Sequence, residues 1–214
     1  MIVKVCGMRD AVNIREVERA GADWMGFICY ERSPRFIDRV PEYLPQKVVR
    51  VGVFVNAAPE VCLRQAEALA LHTVQLHGTE SPDCCDRLRK SGLKVVKAFA
   101  IHRAEELQIT EPYAGVCDYF LFDTPCLQYG GSGRSFDWSV LEHYRGSTPF
   151  LLSGGIRPES MEALKAFRHP RWEGIDLNSG FESAPGMKDA QTLARFIAEF
   201  KKTTSINPLN TSTL

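Results

Sequence analysis

No run in this sequence approaches the ~20 apolar residues that a membrane-spanning helix needs. The first residues also lack the charged, apolar and small-residue succession of a secretory leader. Neither a membrane partner nor export is expected, and the chain reads as cytoplasmic. Charge of one sign is missing too, with 26 Lys and Arg against 26 Asp and Glu. A nucleic-acid-binding domain would carry a basic excess, so no nucleic-acid partner is expected. The seven cysteines (Cys6, Cys29, Cys62, Cys84, Cys85, Cys117 and Cys126) form no Cys-x-x-Cys pair. That argues against a structural zinc site or a disulfide scaffold and for reduced thiols. A Walker phosphate loop and a strand-borne Gly-x-Gly-x-x-Gly are also lacking.

What is present is ordinary for a globular enzyme or binding protein: 44% hydrophobic and 24% charged residues. A chain of 214 residues can bury a large core as one α/β domain or two small ones. Short apolar, β-branched runs alternate with amphipathic stretches. Strands are expected at 2–6, 23–28, 49–55, 73–77, 94–98, 118–123, 149–153 and 173–177. Their near-continuous apolarity suits a parallel sheet covered on both faces. Proline at a helix start is read at Ala58-Pro59, Ser81-Pro82 and Arg157-Pro158, with Ser81 as an N-cap. Cys62, Ala66 and Leu69 share a helical face, as do Leu193, Phe196, Ile197 and Phe200. The segment after strand two, with Pro34, Pro41 and Pro45, is mostly loop with room for one short helix. Residues 203–214 lack periodicity and are expected as a disordered C-terminal tail behind a domain of residues 1–202. Eight strand–helix units without a composition break predict a single (β/α)₈ barrel. A doubly wound sheet is the rival, since a miscount of one strand would change the answer.

Active sites of such barrels stand at the carboxyl ends of the strands. Polar groups and glycines collect there: Cys6-Gly7, Arg35 in "ERSPRF", His77-Gly78, Asp123, "SGGIRP" and "DLNSGFE". Gly154 and Gly155 before a helix, next to Asn178, Ser179 and Gly180, form a candidate phosphate cradle. The same glycines could serve only as tight turns. Cys6 alone could be a small buried hydrophobe. Asp123 after an apolar strand needs a partner or a task. Together they are a candidate base and acid for proton transfer at carbon. His77 is open to a direct role or to a hydrogen-bonded structural one. The Cys, His and Asp candidates show no ligand spacing, so no metal is expected. The glycine-rich "YGGSGRSFDW" could act as a lid beside Asp123. Alternation along strand one puts Ile2, Lys4 and Cys6 on one face. Barrel closure would then set Lys4 against Asp176 of strand eight, an ion pair beneath the site.

The stretches "KVCGMRD", "GFICYERSPRF", "RVGVFVN", "VQLHGTES", "LFDT", "GGSGRSFDW", "LSGGIRPES" and "IDLNSGFESAPGMKD" come in an order that resembles the phosphoribosylanthranilate isomerase family of tryptophan biosynthesis, up to about residue 202. The resemblance implies a (β/α)₈ barrel and an Amadori rearrangement of N-(5-phosphoribosyl)anthranilate to the 1-deoxyribulose 5-phosphate isomer, without a cofactor. It implies Cys6 as general base, Asp123 as general acid and Arg35 as the anthranilate-binding residue. The strand-end reading adds His77, Gly154, Gly155, Asn178, Ser179 and Gly180 as candidate substrate-binding positions. The partner expected is a small phosphosugar, and the chain a monomer or homodimer. Cys29-Tyr30-Glu31 and Asn178 depart from the family's usual small or apolar residues and Ser, which implies altered fit with the donors kept. A pentose-phosphate epimerase would want metal ligands, and indole-glycerol-phosphate synthase a catalytic Lys and Glu at strand ends. Neither set is evident. A catalytically silent phosphate-binding barrel would be favoured by loss of Cys6 or Asp123, and both are present.

Overall fold

Eight apolar runs, each buried on both faces, have only one way to leave no edge: they close on themselves. The structure, a computed structural model, describes residues 1–123 and 138–206. Its strands are β1 (Ile2–Cys6), β2 (Trp24–Ile28), β3 (Val49–Phe54), β4 (Thr73–Leu76), β5 (Lys94–Ala100), β6 (Tyr119–Asp123), β7 (Phe150–Ser153) and β8 (Trp172–Leu177). They pair in parallel in chain order, and β8 returns to β1 to complete a barrel. That closure disposes of the doubly wound alternative, whose sheet stays open.

The helices are α1 (Ala11–Arg19), α2 (Pro59–Ala68), α3 (Pro82–Lys90), α4 (Met161–Ala166) and α5 (Ala190–Ile206). Their starts follow local chemistry. Asp10 Oδ1 accepts from the Asn13 amide at 2.8 Å, and Ser81 Oγ from the Cys84 amide at 3.3 Å, each filling an otherwise orphaned donor. Proline opens α2 and α3 at the position where its missing N–H costs nothing.

The regular strand–helix alternation fails in three places. After β2 the chain runs as turns with a single bridge between Ile28 and Phe36. The connection after β5 is a 3₁₀ segment, Ala104–Tyr113, interrupted by Pro112. Beyond β6 a short 3₁₀ turn, Trp138–His143, precedes β7. The Cys126 thiol and the glycine-rich stretch read as a lid fall in 124–137, outside the described residues, apart from its last residue, Trp138. At the carboxyl end, α5 continues to Ile206, past the boundary expected at 202, and Phe196, Ile197 and Phe200 anchor its earlier turns to the core. Residues 207–214 lie outside the described residues.

Strand alternation sorts the side chains into two cores. Val3, Val5, Phe120, Phe122, Leu152 and Ile175 point outward beneath the helices. There they join Cys62, Ala66, Leu69, Leu193 and Phe200. Inside the barrel, Trp24, Val51, Val96, Ala98, Leu121 and Leu151 pack together. Each such fully buried side chain stabilises the fold by about 1.5–3 kcal/mol before entropy is counted. At the mouth a small group, Cys6, Ile28 and Val53, caps the interior. Between these apolar layers lies an ion pair. Lys4 Nζ meets Asp176 Oδ1 at 2.9 Å, with the Lys4 side chain 0% exposed, as the alternation of β1 and its pairing with β8 require.

Candidate active site

Cys6 ends β1 with its thiol turned inward, and the β2 residue paired with it is Gly26. A Cβ placed on Gly26 would lie 2.7 Å from Cys6 Sγ, so only glycine leaves the sulfur room. Gly7 then turns the chain away at φ +79°, a conformation that favours glycine. Beyond it, Met8 donates its amide to the Gly26 carbonyl at 2.9 Å, fixing the turn. Burial pushes the Cys6 thiol up. The Lys4 ammonium opposes that, the Asp176 carboxylate adds to it, and Lys188 opposes it again.

Asp123 ends β6 on the inward face, since Phe120 and Phe122 take the outward one. Its side chain is 37% exposed at the barrel mouth, not enclosed by the apolar residues that precede it in sequence. His77 stands beside it, with Nε2 3.4 Å from Asp123 Oδ2. On the far side of the ring, Gln75 Nε2 lies 2.8 Å from His77 Nδ1. A Gln75 amide donating to Nδ1 leaves the ring proton on Nε2, pointed at the carboxylate. Gln75 shares the inward face of β4 with His77, two residues away. That alternation was the signal that could have found it, yet only the His was singled out.

A cavity of about 260 Å³ opens at this end of the barrel. Cys6, His77, Asp123, Gly154, Gly155, Asn178, Ser179 and Gly180, all expected from the sequence, line it together. Gln75, Ser153 and Asp176 line it as well. Gly154 and Gly155 both adopt positive φ, at +89° and +56°. The loop after β8 presses on the loop after β7: the α-carbon of Gly180 carries no side chain where the Ile156 carbonyl approaches. The glycines therefore turn backbone rather than side chains toward one corner of the cavity. The helix expected directly behind Gly155 is a 3₁₀ turn, Pro158–Ser160, that leads into the short α4.

Arg35 is the expected site residue that does not line this cavity. It stands at the rim and grips Glu182 bidentately, Nε to Oε1 at 2.8 Å and Nη2 to Oε2 at 2.5 Å. Lys188 Nζ reaches the same carboxylate at 2.6 Å and Asn178 Oδ1 at 2.7 Å. Burial alone would raise the Glu182 carboxyl, but the hydrogen bonds from Arg35 and Lys188 outweigh it and bring it down to about 2. Asn178 thus accepts from Lys188 while also lining the cavity, where a role toward substrate is expected of it. Glu182 and Lys188 belong to a small antiparallel hairpin, β9 (Glu182–Ala184) with β10 (Met187–Lys188), between β8 and α5. Sequence reasoning missed both, because neither ends a barrel strand.

Among the described residues, no group of three His, Cys, Asp or Glu could hold a metal ion. Of the cysteines described, only Cys6 lines the cavity. A closed parallel barrel with a thiol, a carboxyl and two glycine-bearing loops lining a cavity at its C-terminal mouth has the architecture of a (β/α)₈ enzyme.

Residues 3–199 match the family model described as N-(5'phosphoribosyl)anthranilate (PRA) isomerase. A Phocaeicola vulgatus protein named N-(5'-phosphoribosyl)anthranilate isomerase is 54% identical over 202 residues, spanning 94% of this chain and 98% of its own. The crystal structure of phosphoribosyl anthranilate isomerase from Thermotoga maritima superposes with a TM-score of 0.80 at 34% identity, covering 94% of this chain and 100% of that one. A crystal structure of the isomerase in complex with reduced 1-(o-carboxyphenylamino)-1-deoxyribulose 5-phosphate gives 0.78 at 32%, covering 94% and 100%. The chain belongs to the N-(5'-phosphoribosyl)anthranilate isomerase family.

Proposed function

We propose that the cavity carries out the Amadori rearrangement of N-(5-phosphoribosyl)anthranilate to 1-(2-carboxyphenylamino)-1-deoxyribulose 5-phosphate, a step of L-tryptophan biosynthesis. The observation that carries this reading is that Cys6 and Asp123 line one cavity in a chain that matches the family from residue 3 to residue 199. Asp123 in its acid form donates a proton to the furanose ring oxygen, and the C1–O bond breaks to leave an iminium. His77, held by Gln75, orients the carboxyl for that transfer. The Cys6 thiolate removes the C2 proton, which the adjacent iminium has made acidic, and the C–H electrons form the enolamine. Tautomerisation of the enolamine gives the ketone. Protons alone move, so the steps call for no cofactor.

The phosphate rests on the backbone of Gly154, Gly155, Ser179 and Gly180, where amides can point at an anion without side chains in the way. Arg35 takes the anthranilate carboxylate on the guanidinium edge that Glu182 leaves open, a planar fork that Lys would reproduce poorly. Asn178 serves the site through Lys188. The remaining proposals are a cytoplasmic location and a monomer or homodimer; size-exclusion chromatography with light scattering reads the second. No helix among the described residues is long and apolar enough to cross a membrane.

The test is the decay of phosphoribosylanthranilate fluorescence on adding the protein. Cys6→Ala, which fills most of the same space, should lower kcat by ~10²–10⁴ with the fold intact. A Cys6→Ala enzyme keeping more than about a tenth of wild-type kcat would remove the base assignment.

A further inference from the structure

Lys4 is out of place by composition. Its side chain is 0% exposed, above an interior of Val51, Leu121 and Leu151 and below Ile28 and Val53. Ion pairs in such places add little stability, and apolar residues of the same volume often do as well or better. Something other than stability therefore keeps an ammonium there. The ammonium meets Asp176 Oδ1 at 2.9 Å, and the Cys6 thiol ends the same strand on the same inward face. Lys4 and Cys6 are two residues apart on one face of β1, so the strand itself sets their approach.

We propose that Lys4 is a positioning residue for Cys6, its buried ammonium balancing the negative charge the sulfur carries as a base, with Asp176 fixing the ammonium. This rests on the reading of Cys6 as the base. The charged and titratable groups around the sulfur are Lys4 on β1, Asp176 on β8, Lys188 on β10 and Arg35 after β2. His77 and Asp123 line the same cavity from the ends of β4 and β6. Of the attractive partners, Lys4 has the largest effect on the thiol, and Asp176 is the main charged group acting against it. Lys4 keeps its three protons throughout. The thiol proton leaves to solvent, and the thiolate then accepts the C2 proton as the C–H bond breaks.

The opposite signs give a test that a merely structural role would not pass. Iodoacetamide alkylation of Cys6 in ligand-free protein, read by peptide mass spectrometry from pH 6 to 11, reports the thiolate fraction. Lys4→Met should move the midpoint up and slow alkylation at pH 8 by about tenfold or more, since one unit of thiol shift is tenfold in thiolate. Asp176→Asn, which keeps an acceptor for the ammonium, should move it down. In turnover, Lys4→Met should lower kcat with KM little changed. Midpoints that stay put, or that move the same way in both variants, overturn the proposal. Should Lys4→Met fail to fold, an unmoved or raised midpoint in Asp176→Asn overturns it alone. Failure of the base reading looks different: Cys6→Ala would then turn over substrate normally, whatever the titration shows.

Discussion

Gly26→Ala adds one methyl group at the point where the barrel mouth has least room. The new Cβ would sit 2.7 Å from Cys6 Sγ, 3.1 Å from Cys6 Cα and 3.3 Å from Cys6 Cβ. The first contact can be relieved by swinging the sulfur, but the second is to backbone, and the two strands are paired at this residue. Overpacking of this kind costs typically ~1–3 kcal/mol. Loss of glycine's freedom in the unfolded chain returns ~0.4–1 kcal/mol. A net destabilisation of about 1–2 kcal/mol follows, measurable as a shift in the urea midpoint at constant slope. The effect on turnover should be larger. Bringing Sγ back to ordinary contact moves it by several tenths of an ångström, and misplacements near 1 Å can cost ~10²-fold. In a Cys6→Ala background the sulfur contact is gone and only the backbone contacts remain. The stability cost should then shrink, giving a coupling of about 1 kcal/mol in a double-mutant cycle. A Gly26→Ala protein within about 0.5 kcal/mol of wild type and within about twofold in kcat would refute the claim that glycine is there to seat the thiol.

Asp123→Asn keeps the shape of the side chain but cannot deliver a proton. Its loss should appear in kcat by ~10²–10⁴ with KM little changed, and a loss confined to KM would make Asp123 a binding residue. Glu182, ordinarily near 4.5, is held at about 2 in the fold. The unfolded chain therefore binds the extra proton first, and the stabilisation present above pH 4.5 should be lost as pH falls toward 2. Acid unfolding should show that window in wild type and lack it in Glu182→Gln; identical acid profiles would remove the Arg35–Glu182–Lys188 cluster as a source of stability. Lys4→Met strands the Asp176 carboxylate and should destabilise by ~3–5 kcal/mol, much of it recovered in Lys4→Met/Asp176→Asn. A single variant as stable as wild type in urea would contradict the buried pair.

Strand positions were legible because a parallel sheet buried on both faces writes itself as short continuous apolar runs. The two-residue alternation then carried the reading further, to the inward thiol of Cys6 and to the contact of Lys4 with Asp176. The connections were less legible. The chain after β5 reads as amphipathic, yet Pro112 and a weak apolar stripe leave it 3₁₀. At the site, residues that end strands announced themselves, since a polar group there has no packing reason to follow an apolar run. Gln75 did not, because an inward polar residue one step below the mouth looks like any interruption of a strand. Glu182 and Lys188 reach Arg35 only through the fold, and no spacing in the sequence joins positions 35, 182 and 188. The exposure of Asp123 depends on the width of the barrel mouth, which the composition of its own strand does not encode.

Lys4 and Asp176 stand 172 residues apart in the chain, on the first and last strands, whose pairing closes the barrel. On a ribosome adding 5–20 residues per second, the first strand waits roughly 10–30 s for the carboxylate that will receive its ammonium. During that interval, burying Lys4 would cost more than leaving it in water. The growing chain therefore has an incentive to keep β1 solvated until β8 has emerged. A nascent or truncated chain ending before residue 176 cannot complete its interior, and its first strand should remain open to protease and to hydrogen exchange.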